Sequence, residues 1–227
     1  MPVAVSRRKV LLGSLSLLTL ATPSFAQTNL LYGGTAGDDD GFARDPSLLP
    51  PPESPVDFKI TPANLKKIPN TFRKQLVEYS GTEFPGTLVV DPEHRHLYHV
   101  LENNQAIRYG VGVGRDGFAW AGEAKIGMKR RWPRWLPPEE MVVRDKNAAK
   151  WANGMPGGPD NPLGARALYL YANGADTLYR IHGTNDPSSI GKALSSGCVR
   201  MLNQDIADLY LRVPVGSKVV VLPSQGV

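Results

Sequence analysis

The sequence contains a single cysteine, Cys198, among 227 residues. A disulfide within the chain is therefore excluded, although oxidising compartments favour paired cysteines. Internal repeats are also lacking, which excludes a solenoid architecture. The apolar run at residues 10–20 is too short to serve as a permanent membrane anchor. With 41% apolar residues, the chain can still form one ordinary domain with a packed core.

A large excess of positive charge is lacking as well. Residues 6–9 (Ser-Arg-Arg-Lys), the apolar run and the small residues Ser24 and Ala26 predict a signal peptide over residues 1–26. The arginine pair fits a twin-arginine signal and an ordinary signal equally well, so both remain open. Removing Arg7, Arg8 and Lys9 leaves 23 basic against 21 acidic residues, a net charge of +2 instead of +5. This balance disfavours nucleic acid as a partner. Export to the periplasm is predicted from the signal peptide.

Composition divides the remaining chain into three parts. Residues 27–60 are rich in glycine, proline and aspartate, which predicts a flexible linker. Residues 61–84 are expected to form a short helical segment that packs on the main domain, with Pro62 in a first turn. Residues 85–224 form the main domain.

Short strand patterns dominate the main domain. Strands are expected at residues 87–90, 97–101, 106–111, 167–171, 177–181 and 218–222, with a hairpin turn at Asn173-Gly174. Asn203 is expected to cap a short helix. This pattern predicts a mainly β fold, a β-sandwich with short helices. Residues 127–164 show little strand pattern and predict a long irregular loop beside a substrate cleft.

Cys198 lies in a setting that favours chemistry over simple burial. A lone cysteine is often a small buried hydrophobic residue. Here, Cys198 follows Ser195, Ser196 and Gly197, and His182 precedes it by sixteen positions at the end of a predicted strand. An imidazole can take the thiol proton, and the thiolate can attack a carbonyl. Gly197 permits a tight turn in which backbone N–H groups hold an oxyanion.

These residues resemble a known signature. His182-Gly183-Thr184 followed by the Ser195–Met201 segment is similar to the motif of the YkuD-type L,D-transpeptidases, bacterial cell-wall enzymes with a cysteine nucleophile. The likeness continues upstream through residues 132–135, 137–141 and 157–164, and covers about residues 86–222.

The resemblance implies a β-sandwich that acts on peptidoglycan stem tetrapeptides and forms 3–3 cross-links or attaches proteins to the wall. It implies no metal or organic cofactor and a protein or amine as a further acyl acceptor. Cys198 and His182 would be catalytic, Gly197 would serve the oxyanion, and the Gly183 carbonyl would orient the imidazole. Ser196 fits hydrogen-bond donation near the thiolate and shaping of the turn equally well. Substrate contacts would come from Arg200, Trp132, Trp135 and Met141. The two tryptophans fit sugar stacking and loop anchoring equally well, and Arg200 fits carboxylate binding or loop bracing.

Several alternatives stay open at this point. The same fold could hydrolyse stem peptides as an L,D-carboxypeptidase, or bind the wall without catalysis. A papain-like peptidase also uses cysteine and histidine, but its motif order differs. Residues 112–117 match G-x-G-x-x-G, yet no helix pattern follows, so a dinucleotide site is not expected. In a strand, His94 and His96 would face one way and His99 the other, which is poor geometry for a shared metal ion, so these histidines are expected on a solvated hairpin rim.

Overall fold

The computed structural model describes residue 54 and residues 56–114, 121–195 and 197–224, without the side chains of Leu194 and Ser195. All of these residues belong to one compact unit, Asp40–Val227. The predicted signal peptide and most of the predicted linker lie outside the described residues. In the described ranges, no helix is both long enough and apolar enough to cross a bilayer.

The described chain consists mainly of strands. They are β1 (Gln75–Glu78), β2 (Leu88–Asp91), β3 (His96–Leu101), β4 (Gln105–Gly110), β5 (Val113–Gly114), β6 (Gly122–Arg131), β7 (Arg166–Ala172), β8 (Ala175–His182), β9 (Ala193–Ser195), β10 (Val199–Arg200) and β11 (Lys218–Val221). The helices are α1 (Glu139–Arg144), α2 (Lys146–Ala149) and α3 (Asn203–Arg212), with short 3₁₀ turns at Leu65–Lys67, Asn70–Phe72 and Pro187–Ser189. The prediction of a mainly β fold with short helices is confirmed.

Nine strands form one mixed sheet in the order β1-β4-β3-β2-β11-β6-β7-β8-β10, and β5 pairs with β9 in a separate ribbon. The predicted hairpin joins β7 to β8 through Asn173 and Gly174, both with positive φ. Gly112, just after β4, exchanges two backbone hydrogen bonds with Arg200 of β10, at 2.8 and 2.9 Å. The two ends of the sheet are thereby brought together around a shared core.

One apolar cluster fills the space inside this fold. It draws on both halves of the sheet, with Leu88 from β2, Ile126 from β6 and Ile181 from β8 all fully buried. Helix α3 covers the cluster with Ile206 and Leu209. Successive side chains of a strand point to opposite faces of the sheet. The buried residues of each strand therefore also show which neighbouring side chains face away from the core.

Three predictions about the N-terminal and loop segments require correction. Within residues 61–84, the expected helical segment ends in the edge strand β1, which pairs with β4 and exposes 61% of Leu76. Residues 56–58 of the predicted flexible linker contact the main domain through Asp57 and Phe58. The expected irregular loop begins later, because β6 continues to Arg131, and it contains α1 and α2. From Gly127 to Arg131, Met128 is the one apolar side chain of β6, so this half of the strand lacks the apolar alternation of a strand pattern.

Candidate active site

Strands β8 and β10 bring the histidine and the cysteine of the sequence motif to one edge of the sheet. The two strands pair in parallel, with Val199 opposite Ile181 and Arg200 opposite His182. Val199 and Ile181 both point into the core, so His182 and Arg200 face the other way. Cys198 directly precedes β10, so an extended chain through Cys198 would put its side chain on the face of His182 and Arg200. For such a chain, ordinary strand spacings give about 8 Å between the Cα atoms of Cys198 and His182.

The turn before Cys198 depends on glycine. Gly197 has φ +124°, a conformation that L side chains rarely adopt. A Cβ on Gly197 would also lie only 2.9 Å from Cε1 of Tyr179. Tyr179 follows Leu178, whose φ of 62° marks a bulge in β8 opposite β7. This bulge, which the sequence pattern did not indicate, places the tyrosine ring against the turn of the nucleophile.

His182 is held by a hydrogen bond to its own neighbour. Its Nδ1 lies 2.6 Å from the carbonyl oxygen of Gly183, and its side chain is buried. A carbonyl oxygen can only accept, so Nδ1 carries the proton. In the neutral imidazole, Nε2 is then the acceptor nitrogen, which is the form a general base requires.

The pKa values favour neutral forms of both groups. Burial lowers the pKa of His182 to about 4, although hydrogen bonds to the carbonyls of Gly183 and Leu163 raise it. Burial raises the pKa of the Cys198 thiol above its ordinary value, against a hydrogen bond to the Arg180 backbone and the charges of Arg180 and Arg200. Both guanidinium groups also lower the pKa of His182. At neutral pH the resting pair is therefore thiol and neutral imidazole.

Arg180 is fixed beside the thiol by a bidentate ion pair. Both of its terminal nitrogens lie 2.7 Å from carboxylate oxygens of Asp176. Its guanidinium also stacks over Tyr169, at 4.2 Å from the ring centroid. Because these contacts hold the side chain in one place, its positive charge acts as a permanent part of the site. The sequence motif did not single out Arg180.

The residues predicted to contact the substrate differ in their exposure to solvent. Trp132 is only 1% exposed, and its indole N–H donates to Asp57 at 2.9 Å. Stacking of a sugar on Trp132 is therefore contradicted, and loop anchoring is its role. Trp135 and Met141 are half-buried, and the backbone of Trp135 pairs with Met155. Ser196 lies outside the described residues.

The histidines near β3 also differ from expectation. His96 and His99 are each 7% exposed, so they do not lie on a solvated rim. A ring nitrogen of His96 lies 3.0 Å from the carbonyl oxygen of Thr71, which explains its burial. Across the residues that the structure describes, no group of three histidine, cysteine, aspartate or glutamate side chains could hold a metal ion.

Two asparagines support the histidine segment from outside the motif. Asn161 is fully buried and donates to the carbonyls of Pro133, Met155 and Pro156. Asn203 was expected to cap α3, but it is the first helical residue and makes no capping hydrogen bond. Its side chain instead accepts hydrogen bonds from Ala165 and Thr184. Such contacts span 38 and 19 residues, so local sequence patterns do not reveal them.

Comparison with known proteins decides the family. Residues 85–221, more than half of the chain, match the YkuD family, described as an L,D-transpeptidase catalytic domain. The chain belongs to the YkuD family. The YkuD segment contains both motif residues, His182 and Cys198.

Curated members of the YkuD family show the same relation. The chain is 36% identical over 143 residues to a protein named "Probable L,D-transpeptidase YbiS" from Escherichia coli K12, covering 61% of this chain and 44% of YbiS. It is 35% identical over 136 residues to the L,D-transpeptidase relative YqjB of Bacillus subtilis 168, covering 59% of this chain and 69% of YqjB. The match thus spans less than half the length of YbiS.

One solved structure has a high sequence identity to this chain. It is named "Probable carnitine operon oxidoreductase caia" from Brucella melitensis and is 49% identical, covering 70% of this chain and 99% of that chain. Its TM-score is 0.47, which is too low to support an argument about this chain.

Proposed function

We propose that the protein is an L,D-transpeptidase of the periplasm that acts on peptidoglycan stem tetrapeptides through a thioester on Cys198. The observation that carries the proposal is the parallel pairing of β8 with β10, because His182 ends β8 and Cys198 directly precedes β10. Membership in the YkuD family supports the substrate class. The bond cleaved is the one between the third stem residue and the terminal D-Ala.

In the first half-reaction, the neutral imidazole acts as a general base. Nε2 of His182 accepts the thiol proton as the sulfur attacks the donor carbonyl, because Nδ1 is committed to Gly183. Arg180 and Arg200 stabilise the thiolate character that develops on Cys198. Backbone N–H groups near Gly197 and Cys198 receive the oxyanion, each worth about 3 kcal/mol in comparable sites.

Collapse of this intermediate uses the proton that His182 has accepted. With a pKa of about 4, protonated His182 is more acidic than an ordinary imidazolium and transfers the proton to the leaving D-Ala amine. D-Ala leaves, and the stem tripeptide stays on Cys198 as a thioester. An acceptor amine then attacks the thioester, gives its proton to His182, and the thiol is regenerated. The product is a 3–3 cross-link or a protein–wall linkage, depending on which amine enters.

Product analysis with purified protein tests this proposal. Incubation with disaccharide-tetrapeptide should release D-Ala and give cross-linked dimer, and Cys198→Ala should abolish both. His182→Ala should reduce the rate by about a thousandfold or more. His94→Ala is the matched control, because His94 is an exposed histidine bonded to Asp91 away from this site. Tripeptide without dimer would support the hydrolase instead, and wild-type products from Cys198→Ala would overturn the proposal.

A further inference from the structure

The peptide unit between Gly183 and Thr184 is fixed by a side chain from another element. We propose that Asn203, the first residue of α3, is a positioning residue that holds the Gly183 carbonyl against the imidazole of His182. The inference rests on the proposed function, since it assigns a role within that reaction. Asn203 itself does not contact the reacting atoms.

The side-chain oxygen of Asn203 accepts two backbone hydrogen bonds. One comes from the N–H of Thr184 at 3.2 Å, and the other comes from the N–H of Ala165 at 2.9 Å. These two donors belong to different segments, one directly after β8 and one directly before β7. A single amide oxygen therefore ties the end of the histidine strand to the neighbouring turn.

The geometry of the peptide bond carries the effect to the imidazole. The Thr184 N–H and the Gly183 C=O belong to one planar trans peptide, so they point in opposite directions. Holding the N–H on Asn203 therefore aims the carbonyl away from Asn203. That carbonyl oxygen lies 2.6 Å from Nδ1 of His182. Rotation of this peptide would break the contact that keeps the proton on Nδ1.

The surroundings of Asn203 contain space that only glycine leaves open. A Cβ added to Gly183 would lie 2.2 Å from Oδ1 of Asn203, and a Cβ added to Gly164 would lie at the same distance. Gly164 also has φ +62°. Two glycines thus frame the amide oxygen, which makes its close approach to both backbone segments possible. Packing this tight leaves the peptide between Gly183 and Thr184 little freedom to rotate.

A second carbonyl near His182 lies in a segment that another asparagine side chain contacts. The carbonyl of Leu163 also raises the pKa of His182 by a hydrogen bond. Oδ1 of buried Asn161 accepts from the N–H of Leu163 at 2.9 Å. Asn203 acts from the other side, through Ala165. The histidine is thus oriented by backbone carbonyls whose segments are secured by asparagine side chains.

Two variants of Asn203 distinguish the effect of its acceptor oxygen from the effect of its side-chain volume. N203D keeps an oxygen at Oδ1, whereas N203L has similar size and no acceptor. Q204L is the matched control, because Gln204 lies in the same helical turn and its amide oxygen accepts from the Ala63 N–H, away from His182. In each protein, ¹⁵N NMR of the histidine rings reports the tautomer of His182, assigned with His182→Ala, and steady-state kinetics give kcat and KM.

We expect N203L to lose the Nδ1–H tautomer as the main form and to lower kcat by about 10- to 100-fold with little change in KM. N203D and Q204L should keep the tautomer and stay within about twofold of wild-type kcat. A wild-type tautomer in N203L, or a loss in kcat no greater than that of Q204L, would overturn the proposal. If N203L does not fold, N203D decides, because loss of the tautomer in a folded N203D would equally overturn it.

The tautomer measurement needs no stem peptide. If wild-type protein formed no product from disaccharide-tetrapeptide, the proposed function would fail while the NMR comparison stayed interpretable. If the wild type were active and N203L kept its tautomer, only the role of Asn203 would fail.

Discussion

Arg180 and Arg200 place two positive charges beside a thiol that nevertheless stays protonated at rest. Burial raises the pKa of Cys198, and the two guanidinium groups only partly oppose that effect. Burial lowers the pKa of His182 to about 4, and both arginines act in the same direction. A neutral pair of this kind needs the substrate to start proton transfer, which protects the single sulfur from oxidation between turnovers.

The rate of Cys198 alkylation by iodoacetamide should reflect these pKa values. We expect the rate to rise with pH into the alkaline range, above the ordinary thiol pKa, because only the thiolate reacts. No step should appear between pH 5 and 7, since His182 is already neutral there. A plateau of high reactivity near neutral pH would instead indicate a preformed thiolate–imidazolium pair.

Arg200→Gln extends the same measurement. Losing a positive charge removes support for the thiolate, so the pKa of Cys198 should rise further and alkylation at pH 7.5 should slow. The pKa of His182 should rise as well, because imidazolium no longer meets this repulsion. Arg212→Gln, at a guanidinium that pairs with Asp208, serves as the control and should leave the profile unchanged.

A side chain at Gly197 should disturb the turn before Cys198. Gly197→Ala forces a residue with Cβ into φ +124° and against the ring of Tyr179. Gly174→Ala is the matched control, because Gly174 also has positive φ but nothing within 4 Å of the added Cβ. We expect both to lose about 1 kcal/mol of unfolding free energy in urea titrations, and only Gly197→Ala to slow alkylation and turnover by about tenfold or more. Equal activity in the two variants would contradict this.

Sequence alone was sufficient to nominate Cys198 and His182, because the motif and the strand ending at residue 182 are local features. Asn203 and Arg180 could not be found this way. Asn203 acts through contacts 19 and 38 residues away, and local rules assign an asparagine at a helix start to capping. In the sequence, Arg180 is simply a charged residue within a predicted strand. Its ion pair with Asp176 is seen in the structure.

Residues 56–58 have no clear secondary-structure pattern in the sequence, yet they contact the main domain. Asp57 accepts from the indole of Trp132 and pairs with Arg166 at 3.0 Å, and Phe58 packs edge-on against the same tryptophan. The proline and aspartate residues around this segment predict a linker, because no local pattern indicates that Asp57 contacts a residue 75 positions away. Strand β1 was not predicted either, because it is an edge strand with half of its residues exposed and its apolar pattern is therefore weak.

Removing the acceptor for Trp132 should weaken this contact measurably. Asp57→Ala leaves a buried indole N–H without its partner, which should lower the unfolding free energy by about 1–3 kcal/mol. Asp57→Asn keeps an acceptor oxygen and loses only half-exposed ion pairs, so it should cost less than about 1 kcal/mol. Urea titrations of the two variants provide the comparison. An equal loss in both would mean that charge, and not the indole contact, holds the segment.

The stability of the whole molecule should depend on pH through Asp205. This carboxyl is 4% exposed, its Oδ2 has no hydrogen-bond partner, and burial raises its pKa to about 6. Between pH 3.8 and 6, the folded state holds a proton that the unfolded state has lost. The unfolding free energy should therefore fall as the pH rises through this window, by on the order of 3 kcal/mol.

Asp205→Asn should remove that fall. Wild type and variant, compared in urea at pH 4.5 and 7.5, should differ in unfolding free energy much more at the higher pH. Buried His96 and His99 also titrate, but their effects are common to both proteins and cancel in the difference. Asp208 has a pKa lowered to about 2, despite burial, by hydrogen bonds from Arg212, Tyr109 and Lys74, so it contributes only below this range. A difference independent of pH would contradict the assignment to Asp205.

The position of strand β11 has a consequence for how the protein folds. It lies between β2, to which it is parallel, and β6, so residues 218–221 join the two halves of the sheet. A chain that lacks these residues keeps both motif residues but has no strand to unite the halves. Its sheet should stay incomplete, so the last strand of the chain is required before the site of Cys198 can be ordered.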